Sequence, residues 1–242
     1  MEVKQLFELA LIEHKKSNFL SAEKLYKQIL EKYPNEVSIL NNLGTILKEL
    51  GKDKDAIFYY EKALEIKPDD IITNYNLGIV FSKIEKFQKS IIFYEKVIQI
   101  DPKHFLSYQN LMDIYEKTNN HEKLEHIIAR AKSYLTNNSV VKLYEGILLF
   151  KKEKFNEAIK NLEMISFDAN KIKQEKLRIL TLSKSYDKAK NFDKAFNSFV
   201  KVNEINFNLK SKNINKDFYL EKINIRKQFF SKLKKEQWPS LN

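Results

Sequence analysis

Three asparagines, Asn42, Asn76 and Asn110, recur at an equal spacing of 34. A carboxamide donates and accepts hydrogen bonds at once. Three of them in register would hold an extended peptide by its main-chain N–H and C=O groups, with little regard for its sequence. Tyr75 and Gln109 directly precede the second and third asparagines, and Thr45, Lys48, Ile79, Lys83, Asp113 and Lys117 follow within two turns. This polar, cationic and aromatic mixture suits peptide binding better than catalysis, and Lys48 and Lys83 would bias the ligand toward acidic sequences. The later part of the chain departs from the pattern, with Tyr144 and Thr181 at the equivalent places.

Other chemistry is hard to assemble. His121 and His126 are five positions apart and fall on different faces of a helix, which makes a poor metal pair; His14 and His104 are isolated. The chain has no Cys, so it offers no thiolate ligand or cysteine nucleophile. Its four glycines, Gly44, Gly51, Gly78 and Gly146, form no phosphate loop or nucleophile elbow. Asp69 and Asp70 read as a helix N-cap, as do Asp53 and Asp55 before a helix near Lys54. No catalytic residue, metal site or cofactor is expected.

The elements that position the asparagines follow from the same period. Pro34, Pro68 and Pro102 are also spaced by 34. Before each lies a small residue and an aromatic one: Ala22 and Tyr26, Ala56 and Tyr60, Ser90 and Tyr94. Around the asparagines run Leu40, Leu43, Gly44 and Leu47, then Asn74, Leu77, Gly78 and Phe81, then Tyr108, Leu111, Met112 and Tyr115. Apolar residues at i, i+3, i+4 and i+7 mark amphipathic helices. Gly44, Gly78, Gly146, Ala22, Ala56, Ala158 and Ala195 are expected where two antiparallel helices approach closely.

The pattern resembles the tetratricopeptide repeat family, with its W-x2-L-G-x2-Y, A-x3-F and P signature of the same period. Six repeats follow, near 3–36, 37–70, 71–104, 105–138, 139–172 and 176–209. The fourth has Thr136 for its proline and Leu124 for a small residue, and the sixth needs a longer preceding loop. The resemblance implies an all-α, right-handed α-solenoid of about six helix-turn-helix repeats (1–209), plus a C-terminal helix. The first helix of each repeat would line a concave groove holding a protein or peptide partner. In that groove the asparagines look like the asparagine ladder of O-linked N-acetylglucosamine transferases, although Asn is also common there in the family consensus. A carboxylate clamp of the co-chaperone type is not expected, because the first three repeats contain no Arg.

The net charge of +11 is uneven. Residues 1–138 hold 20 basic and 20 acidic side chains, and residues 139–242 hold 23 and 12. All but Arg130, Arg178 and Arg226 of the basic residues are Lys. That excess reads as a solvated face rather than a nucleic-acid or membrane surface. Neither a signal peptide nor a membrane span is apparent, so a soluble protein of the reducing cytoplasm is expected. Exposed repeat ends leave self-association open.

Residues 210–242 read as a basic capping or linker segment, with a helix near 216–235 carrying Tyr219, Ile223, Phe229, Phe230 and Leu233 on one stripe. Together with Lys194, Ala195, Phe196, Phe199, Asn203 and Arg226, it resembles the junction of bacterial tetratricopeptide-repeat sulfotransferases. That likeness implies, as the alternative, the repeat region of such an enzyme without its catalytic domain.

Overall fold

A computed structural model describes residues 3–210. Twelve α-helices and one 3-10 turn, with no strand, make up these residues. The expected C-terminal helix near 216–235 lies outside them. The chain divides into two compact units, Met1–Val141 and Lys142–Asn242.

The first unit contains four antiparallel helix pairs: α1 (Val3–Lys15) with α2 (Phe19–Lys32), α3 (Val37–Glu49) with α4 (Asp53–Ile66), α5 (Ile71–Lys83) with α6 (Phe87–Ile100), and α7 (Phe105–Lys117) with α8 (His121–Tyr134). Both helices of every pair begin one full period after their counterparts in the pair before. Each pair packs on the next through α2 with α3, α4 with α5 and α6 with α7, and α3 also meets α5. Leu43, Leu77, Leu111 and the tyrosines Tyr26, Tyr60, Tyr94 and Tyr108 are fully buried. Each such side chain contributes roughly 2 kcal/mol of hydrophobic stabilisation.

The glycine expectation holds in atomic detail. A Cβ on Gly44 would lie 2.6 Å from Tyr60 Cε1, and one on Gly78 would lie 2.5 Å from Tyr94 Cε1. The aromatic ring of the second helix therefore lies flush against the backbone of the first.

The turn inside each pair is built without relying on glycine. Ser17, Gly51, Glu85 and Asn119 occupy it at the same point of successive repeats, all with positive φ between 56° and 74°. The left-handed residue lets the next N–H fold back onto a carbonyl of the first helix, as in Lys52 to Leu47 (2.8 Å), Lys86 to Phe81 (2.8 Å) and Asn120 to Tyr115 (2.9 Å). Glutamate at such a position carries a Cβ penalty that glycine avoids.

The prolines follow residues outside the α region: Tyr33, Lys67 and Asp101 have φ of −130°, −133° and −122°, with ψ of 70°, 84° and 93°. A following proline disfavours the α region for such residues. Leu135, followed by Thr136, has φ −121° and ψ 74° all the same. Packing keeps the turn where the proline is missing.

Asp70 is a true N-cap, accepting from the Thr73 N–H at 3.0 Å. Asp53 is not a cap but the first residue of α4; Lys52 precedes it without a capping side chain. Acidic groups at that end still suit the positive helix terminus. Glu23, nearly buried on α2, is held by Lys27 (2.6 Å) and Lys52 (2.8 Å), the latter tying α2 to the start of α4.

In the second unit, α9 (Ser139–Lys151) runs out from the division and meets α10 (Phe155–Glu163), followed by a 3-10 turn (Ala169–Lys171), α11 (Ile172–Lys188) and α12 (Phe192–Lys210). A Cβ on Gly146 would lie 2.5 Å from Leu162, which is the same close fit with a leucine in place of the tyrosine. α10 spans only 9 residues, and the irregular stretch after it is fastened from α11. Arg178 donates to Glu175 through Nε (2.8 Å) and to the Leu162 carbonyl through Nη1 (3.1 Å), while Glu175 accepts from the Phe167 N–H (3.1 Å). Burial pushes the Glu175 carboxyl up, but Arg178 and this N–H outweigh it and hold it below the usual range. Glu163 accepts from Tyr186 (2.5 Å) and Lys194 (3.3 Å), joining α10 to α11 and α12.

Candidate functional site

Asn42, Asn76 and Asn110 sit at equivalent points of α3, α5 and α7, the first helices of successive repeats. Side chains three, four and seven positions apart share a helix face. Three stripes result: Ser38, Asn42 and Thr45; Ile72, Asn76 and Ile79; Leu106, Asn110 and Asp113. All three asparagines are half-buried.

Asn76 and Asn110 reach sideways to the preceding repeat. Asn76 donates through Nδ2 to Asn41 Oδ1 at 3.1 Å, and Asn110 donates through Nδ2 to Tyr75 Oη at 3.4 Å. Both contacts span 35 residues, one more than the repeat. The equivalent neighbour of Asn42 is Phe7, which has no acceptor, and the Asn42 side chain makes no hydrogen bond among the described residues. Asn76 and Asn110 thus keep their carbonyl oxygens for another donor, and Asn42 keeps both ends of its amide.

The remaining predicted residues divide by what already engages them. Thr45 Oγ1 donates to the Asn41 carbonyl (3.0 Å) and lies 3.1 Å from Tyr60 Oη, so it anchors the core tyrosine. Tyr75 packs between Tyr94 (ring centroids 5.8 Å apart) and His104 (5.0 Å). Burial pushes the Tyr75 hydroxyl up, with the Asn110 hydrogen bond opposing it. Gln109 is half-buried and Asp113 is exposed on α7; Asp113 adds its charge to the burial that lifts the Tyr94 hydroxyl well above its ordinary value.

Lys48 and Lys83 both have carboxylate neighbours. Lys48, with 17% of its side chain exposed, pairs with Glu49 at 3.2 Å. Lys83 pairs with Asp53 at 2.8 Å, and Lys117 lies 3.6 Å from Glu85. Each of these cations lies beside a carboxylate of the protein itself, in pairs with at least one partner well exposed to solvent. Local sequence hid this because the partners of Lys83 and Lys117 belong to the preceding repeat.

Local sequence does not single out Asn41, Ile72 or Leu106. Asn41 is the acceptor that orients Asn76. Ile72 and Leu106 are 61% and 48% exposed, each one turn before a ladder asparagine. The signal for them was a repeat with the wrong polarity: a large apolar side chain at a surface position in two consecutive repeats.

Among the described residues no group of three His, Asp or Glu side chains is arranged to hold a metal, and no helix is long and apolar enough to cross a membrane. Of the stretch likened to the sulfotransferase junction, Lys194 to Asn203 lies on α12 and the rest lies outside the described residues.

Family models for tetratricopeptide repeats match residues 37–70 and 72–104. A model for Iml2/Tetratricopeptide repeat protein 39 matches residues 90–214, just over half the chain. No curated protein matches in sequence. Among solved structures, a tetratricopeptide repeat protein from Parabacteroides merdae ATCC 43184 is similar with a TM-score of 0.70 at 19% identity, over 83% of this chain and 78% of that one. MamA (41-end) from Desulfovibrio magneticus RS-1 gives 0.60 at 18% identity, over 67% and 92%. YrrB, described as a TPR protein with an unusual peptide-binding site, gives 0.58 at 17% identity, over 74% and 91%. These structures share the fold of paired helices stacked as a solenoid, and with family models running from residue 37 to residue 214 the chain belongs to the tetratricopeptide repeat family.

Proposed function

We propose that this protein is an interaction scaffold that holds an extended segment of a partner protein against the wall formed by α3, α5 and α7. The observation that carries this reading is the asparagine row. Asn76 and Asn110 are fixed through their nitrogens by Asn41 and Tyr75, which orients their oxygens without consuming them. Side chains already held in place lose less entropy when a ligand docks. A main chain laid across the wall would donate its N–H groups to these oxygens, and Asn42 would offer both donor and acceptor. YrrB, with its peptide-binding site on the same fold, supports a peptide as the ligand class.

The test is the triple substitution Asn42→Ala, Asn76→Ala and Asn110→Ala in the full chain, with affinity for a selected peptide read by fluorescence anisotropy. Loss of each peptide hydrogen bond costs about 1 kcal/mol. The triple variant should therefore bind on the order of 100-fold more weakly. Unchanged affinity in a variant of unchanged helicity would remove the asparagines from the site.

A further inference from the structure

We infer that the segment bound on this wall is uncharged and places two apolar side chains on Ile72 and Leu106. This rests on the peptide-scaffold reading above and names the ligand it selects.

Charge is the first argument. Lys48, Lys83 and Lys117 each lie beside a carboxylate of the protein, Glu49, Asp53 and Glu85. An acidic ligand would have to compete with partners tethered to the same fold. A basic ligand would face those carboxylates already paired with lysine. The first unit as a whole contains equal numbers of acidic and basic side chains, so no long-range field favours either sign.

Apolar surface is the second. Ile72 and Leu106 stand one period apart at the same place on α5 and α7, each one turn before a ladder asparagine, and each keeps about half or more of its surface in solvent. The corresponding residue of α3 is Ser38. Ile79, half-buried one turn beyond Asn76, continues the apolar stripe on α5. A single exposed aliphatic residue is ordinary on a protein surface, whereas two in register beside oriented amide oxygens make a patch that covers a ligand side chain while the ligand backbone is held.

Geometry sets the spacing. Packed helices lie about 8–10 Å apart, and a ligand chain in polyproline II geometry advances about 3.1 Å per residue with three residues per turn. Two apolar ligand side chains three positions apart then point to the same side and span about 9 Å.

The probe is a randomised octapeptide library displayed on phage and selected against the immobilised full-length protein. Enriched peptides are then synthesised, labelled and titrated by anisotropy. The inference expects uncharged peptides with two apolar residues about three positions apart, and at least tenfold weaker binding to Ile72→Glu and to Leu106→Glu. Both residues are exposed, so the variants should keep wild-type helicity; Ile72→Ser and Leu106→Ser serve as milder versions without new charge. Enrichment of acidic or basic peptides overturns the inference, as does full affinity in the serine and glutamate variants. If the asparagine variants weaken binding while these do not, the inference fails and the scaffold reading stands. If no peptide is enriched, both fail together.

Discussion

Asn76 on α5 donates its Nδ2 to Asn41 Oδ1 on α3 at 3.1 Å, linking two repeats through a residue that also lines the candidate binding wall. The interhelix bond and the proposed binding role therefore meet in one amide, and they can be separated by substitution. Asn76→Ala removes the interhelix hydrogen bond and should cost about 1 kcal/mol in urea unfolding. Asn42→Ala removes no such bond and should leave stability within about 0.5 kcal/mol. Equal costs at the two sites would contradict the sideways pairing.

The fit of Gly78 against Tyr94 leaves no room for a methyl group, with the added Cβ 2.5 Å from Cε1. Gly78→Ala should destabilise by about 1–3 kcal/mol through overpacking. The double variant Gly78→Ala with Tyr94→Leu should recover none of that loss, because a Cβ on Gly146 would meet Leu162 equally closely, at 2.5 Å. Thermal unfolding of the single and double variants checks the coupling.

Tyr26 and Tyr60 fill the same place in consecutive repeats, yet only Tyr60 has a hydrogen-bond partner. Tyr60 Oη lies 3.1 Å from Thr45 Oγ1, while Tyr26 Oη is buried with no partner among the described residues. Tyr60→Phe should cost about 1 kcal/mol, and Tyr26→Phe should be neutral or stabilising by a similar amount. A loss of stability at Tyr60 with no loss at Tyr26 is the expected result in denaturant unfolding.

Burial also sets the alkaline limit. The Tyr26 hydroxyl is pushed up to about 12, and burial lifts Tyr60 and Tyr94 in the same direction. A folded-state value above the unfolded one, about 10, means the contribution is complete below pH 10 and is lost as pH rises through 12. Unfolding followed together with tyrosinate absorbance should show both transitions in this window, with a smaller pH effect in Tyr26→Phe. At the acid end, burial raises the Glu23 carboxyl, but the hydrogen bonds from Lys27 and Lys52 outweigh it and leave it lowered. Its contribution is complete above its ordinary value near 4.5 and fades as pH falls through the lower folded value.

Glu153 adopts φ +59° in the α9–α10 turn, the position held by Gly51 with φ +74° in the second repeat. Glu153→Gly should stabilise by about 0.5–1 kcal/mol, because glycine removes the left-handed penalty but adds freedom to the unfolded chain. A drop in melting temperature would show that the Glu153 side chain contributes more than its backbone costs.

Much of this was legible in the sequence because repeat proteins repeat their local constraints. Evenly spaced prolines, glycines opposite tyrosines and apolar residues at i, i+3 and i+4 determined the helix pairs, their starts and the row of asparagines. Close helix approach demands small residues whatever the partner repeat, so a periodic glycine reports directly on packing. The balance of charge was legible too: the neutral stretch and the basic one meet close to the division between the two compact units.

Tertiary structure alone decided which polar groups are committed. Asn76 to Asn41, Asn110 to Tyr75 and Arg130 to Glu95 all join residues 35 apart, and Lys83 reaches back into the preceding repeat to Asp53. Those partners lie on neighbouring helices, and no local propensity encodes a contact made only when two repeats stack. The same holds for the turns, where glutamate takes a left-handed backbone because packed helices on both sides fix the path between them. Period and composition determined what this protein is built from, and stacking determined which side chains remain available to a ligand, because hydrogen-bond donors and ionic charges are satisfied across repeats rather than within them.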